Sequence, residues 1–99
     1  MSTDVKNNVI KRNGKEVIFD EAKIVNAIRK ANQSVDKLHQ MNDYQIKAVA
    51  DTIASTVDKA THAINVEDIQ DMVEEKLMRA GKYLLAKNYV IYRYTRALV

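Results

Sequence analysis

The residues of this chain whose types and spacing could do chemistry are mostly cations. Lys11-Arg12 precede an Asn13-Gly14 pair, and Lys23 follows Asp20 at the start of an apolar-periodic segment. Lys82, Lys87, Arg93 and Arg96 recur near the C-terminus, and Gln70 sits at the edge of another apolar stripe. Cations contributed by separate elements suit a polyanion, because each can give a charge-assisted hydrogen bond. Lys23 falls in the first turn of a predicted helix, where free backbone N–H groups also attract anions. Catalysis has no comparable set of residues. His39 and His62 are isolated, and no Ser-His-Asp or His-Glu-His spacing occurs. Asp68, Asp71, Glu74 and Glu75 read as the solvated face of a helix, from which one carboxylate could reach Mg2+ through water. There is no GxxxxGK[ST] and no GxGxxG, so a bound nucleotide would be held by scattered cations, not by a glycine loop.

Composition limits what must position these groups. Ninety-nine residues make one domain, and 46% hydrophobic residues can fill its core. No cysteine is present, which excludes disulfides, Cys-ligated zinc and thiol catalysis. The net charge of +3 permits an anionic partner without demanding one, and a dedicated nucleic-acid binder is usually more basic. No apolar run approaches the ~18 residues of a membrane span. The expectation is a soluble, cytoplasmic chain with a disordered tail over residues 1–7 and one domain over 8–99.

Asn13-Gly14 between two β-prone runs predicts a hairpin over residues 8–19 with a two-residue type I′ turn. That register sets Lys11 opposite Glu16, Ile10 opposite Val17 and Val9 opposite Ile18. Both faces then carry apolar residues, as if each covered something. Lys11 pairs with Glu16 or points at a ligand, and Phe19 is core or an aromatic wall.

Asp20 is a natural N-cap for a helix reaching about residue 32, with Ile24, Ala27, Ile28 and Ala31 inward. Residues 33–42 form a loop. A second helix starts near Asn42 or Asp43 and buries Ile46, Val49, Ile53 and Val57. Ala63-Ile64 could add a short strand beside the hairpin. Asn65 caps a third helix with Asp68 at the reciprocal position, and Ile69, Met72, Val73, Leu77 and Ala80 form its stripe. Gly81 interrupts the chain before a fourth helix over about 82–98. There, Tyr83, Val90, Ile91, Tyr94 and Leu98 share one side with Lys87 among them. An inward Lys87 must snorkel or meet an anion. Lys82, Tyr89, Arg93 and Arg96 share a second face, read as solvated. The fold class is α+β, mostly helical: a four-helix bundle capped by a short three-stranded sheet.

Four pieces occur in one order: V-x-K-R-x-G from Val9, F-D-x-x-K-I from Phe19, V-x-D-I-Q-D-x-V-E from Val66 and A-K-x-Y-x-x-Y-R from Ala86. Together they resemble the ATP-cone, the allosteric nucleotide-binding domain of many ribonucleotide reductases. The closing Y-R-Y-T-R-A-L-V is most similar to cones of the anaerobic, glycyl-radical class. The resemblance covers about residues 8–98.

It implies ATP or dATP bound beneath the sheet, with Mg2+ on the phosphates and adenine between hairpin and bundle. It implies that Val9, Lys11, Arg12 and Gly14 contact the nucleotide, and that Phe19, Lys23 and Ile24 lie around the base and sugar. Val66 and Gln70 match contacts from the third helix, and Lys87 matches the lysine of A-K-x-Y. Arg93 and Arg96 are further phosphate candidates. Some cones hold two nucleotides bridged by Mg2+, and this pattern is compatible with that. The cysteines and glycyl-radical segment that catalyse in such reductases are absent, as is the zinc ribbon of the related transcriptional repressor.

The chain thus reads as a regulatory domain whose partners are adenine nucleotides, the parent's catalytic domain and, in the dATP state, further copies of itself. ATP would activate and dATP inhibit. The alternatives are a helical nucleic-acid-binding module using Lys82, Arg93 and Arg96, and a nucleotide-free assembly adaptor. The modest net charge counts against nucleic acid.

Overall fold

The computed structural model describes residues 8–97, with the side chains of residues 96 and 97 outside that description, as are the expected N-terminal tail and Leu98. A small mixed sheet lies against a bundle of helices. Its strands are β1 (Asn8–Ile10), β2 (Glu16–Ile18) and β3 (Ile64–Asn65), in the order β2-β1-β3. β1 runs antiparallel to β2 and parallel to β3, pairing Val9 with both Val17 and Ile64.

The hairpin register is one residue from the expected one. Lys11 N–H donates to the Lys15 carbonyl at 2.8 Å, and Gly14 N–H to the Lys11 carbonyl at 2.9 Å, so the loop holds three residues. A type I′ turn needs two residues at positive φ. Only Gly14 has one (φ 84°), because Asn13 stays at negative φ, where its Oδ1 accepts from Lys15 N–H at 3.0 Å. This is the three-residue loop in which a glycine in the left-handed region closes a turn.

One residue of slip exchanges the faces of a strand. Val9 and Val17 now share the inward face, while Ile18 points outward at 71% exposure. The expected Lys11–Glu16 pair does not form. Asn8 Nδ2 donates to Glu16 at 3.2 Å instead, which leaves Lys11 free for the inner side.

The helices are α1 (Glu21–Asn32), α2 (Asp43–Lys59), α3 (Val66–Arg79) and α4 (Tyr83–Ala97). Asp20 caps α1 by accepting from Ala22 N–H, and Asn42 with Gln45 makes a full capping box on α2. Asn65 caps α3 by accepting from Glu67 N–H, without the reciprocal bond expected of Asp68. Between α1 and α2, Asn32 holds Met41 through both its amide groups, at 2.8 and 2.9 Å, beside a 3-10 turn at Lys37–His39. Gly81, at φ 78°, ends α3 in a Schellman arrangement. Its N–H donates to Met78 and that of Lys82 to Leu77.

α1 packs on α2 and α4, and α3 on the same two helices. Ile28, Ile46, Ile53, Val57, Val73, Leu77, Leu85 and Tyr89 fill the centre. None of the described helices is long and apolar enough to cross a membrane.

α4 presents the opposite side from the expected one. Leu85, Ala86, Tyr89 and Arg93 are buried, whereas Tyr83, Ile91 and Tyr94 are 69%, 54% and 55% exposed and Lys87 is exposed among them. The reason lies on α3. Arg93, 6% exposed, donates to Glu67 Oε1 at 2.6 Å, Asp71 at 2.9 Å and Glu74 at 2.5 Å. Asp71 and Glu74, expected on a solvated face, are therefore partners of a buried guanidinium. Burial by itself lowers the Arg93 pKa, but the bonds to Glu67, Glu74 and Asp71 outweigh it and hold the group above the ordinary arginine value. Glu67 also accepts from Arg12 Nε. Arg12 first, and Arg93 second, hold the Glu67 pKa below the usual carboxylate value.

Replacing Arg93 by methionine leaves three carboxylates without their shared cation. Urea unfolding is expected to show a clear loss of stability at neutral pH, smaller than the ~3–5 kcal/mol of a fully buried pair, because Glu67 and Asp71 are partly open to water. The pH dependence has a definite sign. A carboxylate with a depressed folded pKa contributes stability above its unfolded value of about 4.3, and loses it as pH falls through the folded value. Wild-type unfolding midpoints should fall on acidification below that pH, and Arg12→Ala, which removes the larger cause, should flatten the fall.

Candidate functional site

The cleft beneath the hairpin has two lobes. The first, about 230 Å3, is an apolar slot. Val9, Val17 and Phe19 line it from the sheet side, Ile24 and Ala27 from α1, Ile69 from α3 and Tyr89 from α4. The second, about 650 Å3, is polar. Lys11, Arg12 and Asn13 reach it from the hairpin, Lys23, Asn26 and Lys30 from α1, and Tyr92 and Arg93 from α4. Its volume lies within the ~300–1,000 Å3 usual for small-molecule sites. Lys11, Lys23, Ala27, Val66 and Gln70 line both lobes, so the two are continuous.

The cations divide into two kinds. Lys11, Lys23 and Lys30 have no ion-pair partner among the described residues, so their charge is available to a ligand. Arg12 and Arg93 are paired. Arg93 in addition donates to the Glu67 carbonyl at 3.4 Å, and its Nε is buried with no partner among the described residues. Leaving such a group unsatisfied costs about 1–3 kcal/mol or more, and the surrounding carboxylates offset it.

Tyr89 and Gln70 make the other organised contact. The Tyr89 hydroxyl donates to Gln70 Oε1. Burial pushes the Tyr89 pKa up, so the phenol keeps its proton at neutral pH and remains a donor. With its carbonyl taken, Gln70 offers its NH2 where the two lobes join. A flat apolar group in the slot and an anionic group in the polar lobe would meet beside that amide.

Of the residues expected to bind, Val9, Lys11, Phe19, Lys23, Ile24, Val66 and Gln70 line the slot. Arg12 and Arg93 line the polar lobe. Gly14 lines neither and supplies the turn. Lys87 also lines neither, being on the outer side of α4. The side chain of Arg96 falls outside the described residues.

Several lining residues escaped the sequence reading. Asn26 and Lys30 follow Lys23 at helical spacing on α1, a pattern that was available in the sequence. Val17 was lost to the register slip and Tyr89 to the rotation of α4.

Comparisons with known proteins identify the family. A family model described as the ATP cone domain matches residues 7–98. The chain is 36% identical over 100 residues to the ribonucleoside-diphosphate reductase subunit alpha of Chlamydia trachomatis, covering 93% of this chain and 10% of that protein. It is 38% identical over 96 residues to the vitamin B12-dependent ribonucleoside-diphosphate reductase of Thermoplasma acidophilum, covering 92% of this chain and 12% of the relative. It is 34% identical over 91 residues to the anaerobic ribonucleoside-triphosphate reductase of Haemophilus influenzae, covering 91% and 12%. The chain thus spans about a tenth of the length of these curated relatives. Matched over residues 7–98, which carry its sheet and four helices, the chain belongs to the ATP cone domain family.

Proposed function

We propose that this chain is the adenine-nucleotide-sensing domain of a ribonucleotide reductase, on which ATP permits activity and dATP, the end product, shuts it off. The domain has no catalysis of its own. The observation that carries the reading is the continuity of an apolar slot with a lobe of unpaired lysines, joined at Gln70. The base enters the slot beside Val9, Phe19 and Ile24, the sugar lies by Val66 and Gln70, and the phosphates meet Lys11, Arg12 and Lys23. Mg2+ arrives on the phosphates. Glu67, Asp71 and Glu74 are engaged by arginines, and no cluster able to hold a metal occurs among the described residues.

ATP and dATP differ by one hydroxyl. A ligand shifts an equilibrium only by its differential affinity for the two states, at about 1.4 kcal/mol per tenfold. The output is a change in contacts with the parent's catalytic domain or in self-association. The exposed Tyr83, Ile91 and Tyr94 on α4 supply apolar surface for such contacts. We read the parent as a cytoplasmic reductase of the anaerobic, ribonucleoside-triphosphate class on the closing Y-R-Y-T-R-A-L-V, with relatives that include both diphosphate and triphosphate reductases.

Calorimetry with ATP, dATP and GTP tests this. Both adenine nucleotides are expected to bind in the micromolar-to-millimolar range and GTP more weakly, and absence of adenine-nucleotide binding in that range contradicts the reading. Lys11→Ala is expected to weaken ATP by about 1.5–3 kcal/mol, the scale of a hydrogen bond to a charged group. Lys87→Ala, on the far side of α4, should leave it unchanged.

A further inference from the structure

We propose that Glu67 is a positioning residue for phosphate: anchored by the buried Arg93, it holds Arg12 by its Nε and presents the terminal edge of that guanidinium to the polar lobe. The proposal rests on the reading of the cleft as an adenine-nucleotide site.

Glu67 occupies the first turn of α3 and lines neither lobe, so its carboxylate stands beside the site and does not face a ligand. Its two oxygens are divided between two arginines. Oε1 accepts from Arg93 Nη2 at 2.6 Å, and Oε2 accepts from Arg12 Nε. Arg12 lies in an exposed hairpin loop, where a long side chain left alone samples many rotamers. Tying Nε fixes the plane of the guanidinium. Nη1 and Nη2 then remain without a partner among the described residues, and they form an edge suited to a bidentate phosphate contact.

Arg93 has the complementary state. Both of its Nη atoms are engaged by acids of α3, and its Nε is buried, so it can offer a phosphate nothing without leaving those acids. Of the two arginines bordering the polar lobe, Arg12 is the one that meets the ligand. Arg93 is the fixed point behind it, and Glu67 is the link between them.

A double-mutant cycle read by calorimetry separates this role from a simple charge effect. Wild type, Arg12→Ala, Glu67→Ala and the double variant are titrated with ATP and with adenosine, after circular dichroism confirms folding. Each single change is expected to weaken ATP about tenfold or more. The double variant should bind ATP no more weakly than Arg12→Ala alone, and adenosine affinity should not move. Glu67→Gln, which keeps the volume but turns one of the two acceptor oxygens into a donor NH2 facing an arginine, should also weaken ATP, and it serves if the alanine variant does not fold.

Unchanged or tighter ATP binding by the Glu67 variants overturns the proposal, because Glu67 would then be a bystander or a competitor for Arg12. Losses that multiply in the double variant overturn it as well. Failure of the wild type to bind ATP contradicts the nucleotide-site reading itself, and shows in the first titration.

Discussion

A guanidinium buried among three carboxylates is the constraint on which the site depends. Taking a charge out of water costs several kcal/mol even after relaxation. Arg93 is therefore tolerable on the inner side of α4 only because Glu67, Asp71 and Glu74 of α3 are there to receive it. That requirement sets the rotation of α4. It places Leu85, Ala86 and Tyr89 in the core and turns Tyr83, Ile91 and Tyr94 to the outside. It also brings the Tyr89 hydroxyl to Gln70 and, through Glu67, extends to the hairpin at Arg12.

The charge arrangement in the cleft follows from the same pairing. The acids that could have neutralised the lobe are taken by two arginines, so Lys11, Lys23 and Lys30 keep their charge for a ligand. Lys11 is available for a second reason. The three-residue turn moves Glu16 away from it and onto Asn8. The apolar slot has a simpler origin, since its walls are the inward faces of the hairpin, α1 and α3 where they converge without filling the space.

Much of this was legible in the sequence. Asp20 and Asn42 announce their helices because a short polar side chain before an apolar-periodic run has few other uses. The stripes of α1, α2 and α3 were readable because their buried positions are apolar at helical spacing. The four ordered motifs carried the family and most of the slot.

Two features were not legible, for distinct reasons. Asn-Gly is compatible with both a two-residue and a three-residue turn, and a local hydrogen bond from Lys15 to Asn13 decides between them. On α4, one side holds more apolar residues, but the side that is buried contains an arginine. No periodicity within α4 shows that three acids wait on α3. Periodicity alone sets Lys87 within the apolar stripe and Arg93 on the other face, and only the pairing between the helices shows Arg93 to be the buried cation and Lys87 the exposed one.

The most direct measurement of the central claim is a crystal structure of this chain with ATP. The account predicts adenine in the slot beside Val9, Phe19 and Ile24, phosphates on Lys11, Arg12 and Lys23, and Arg93 still held by Glu67, Asp71 and Glu74. Phosphates bound on the outer face of α4 at Lys87, or an Arg93 withdrawn from its carboxylates to bind them, would contradict it.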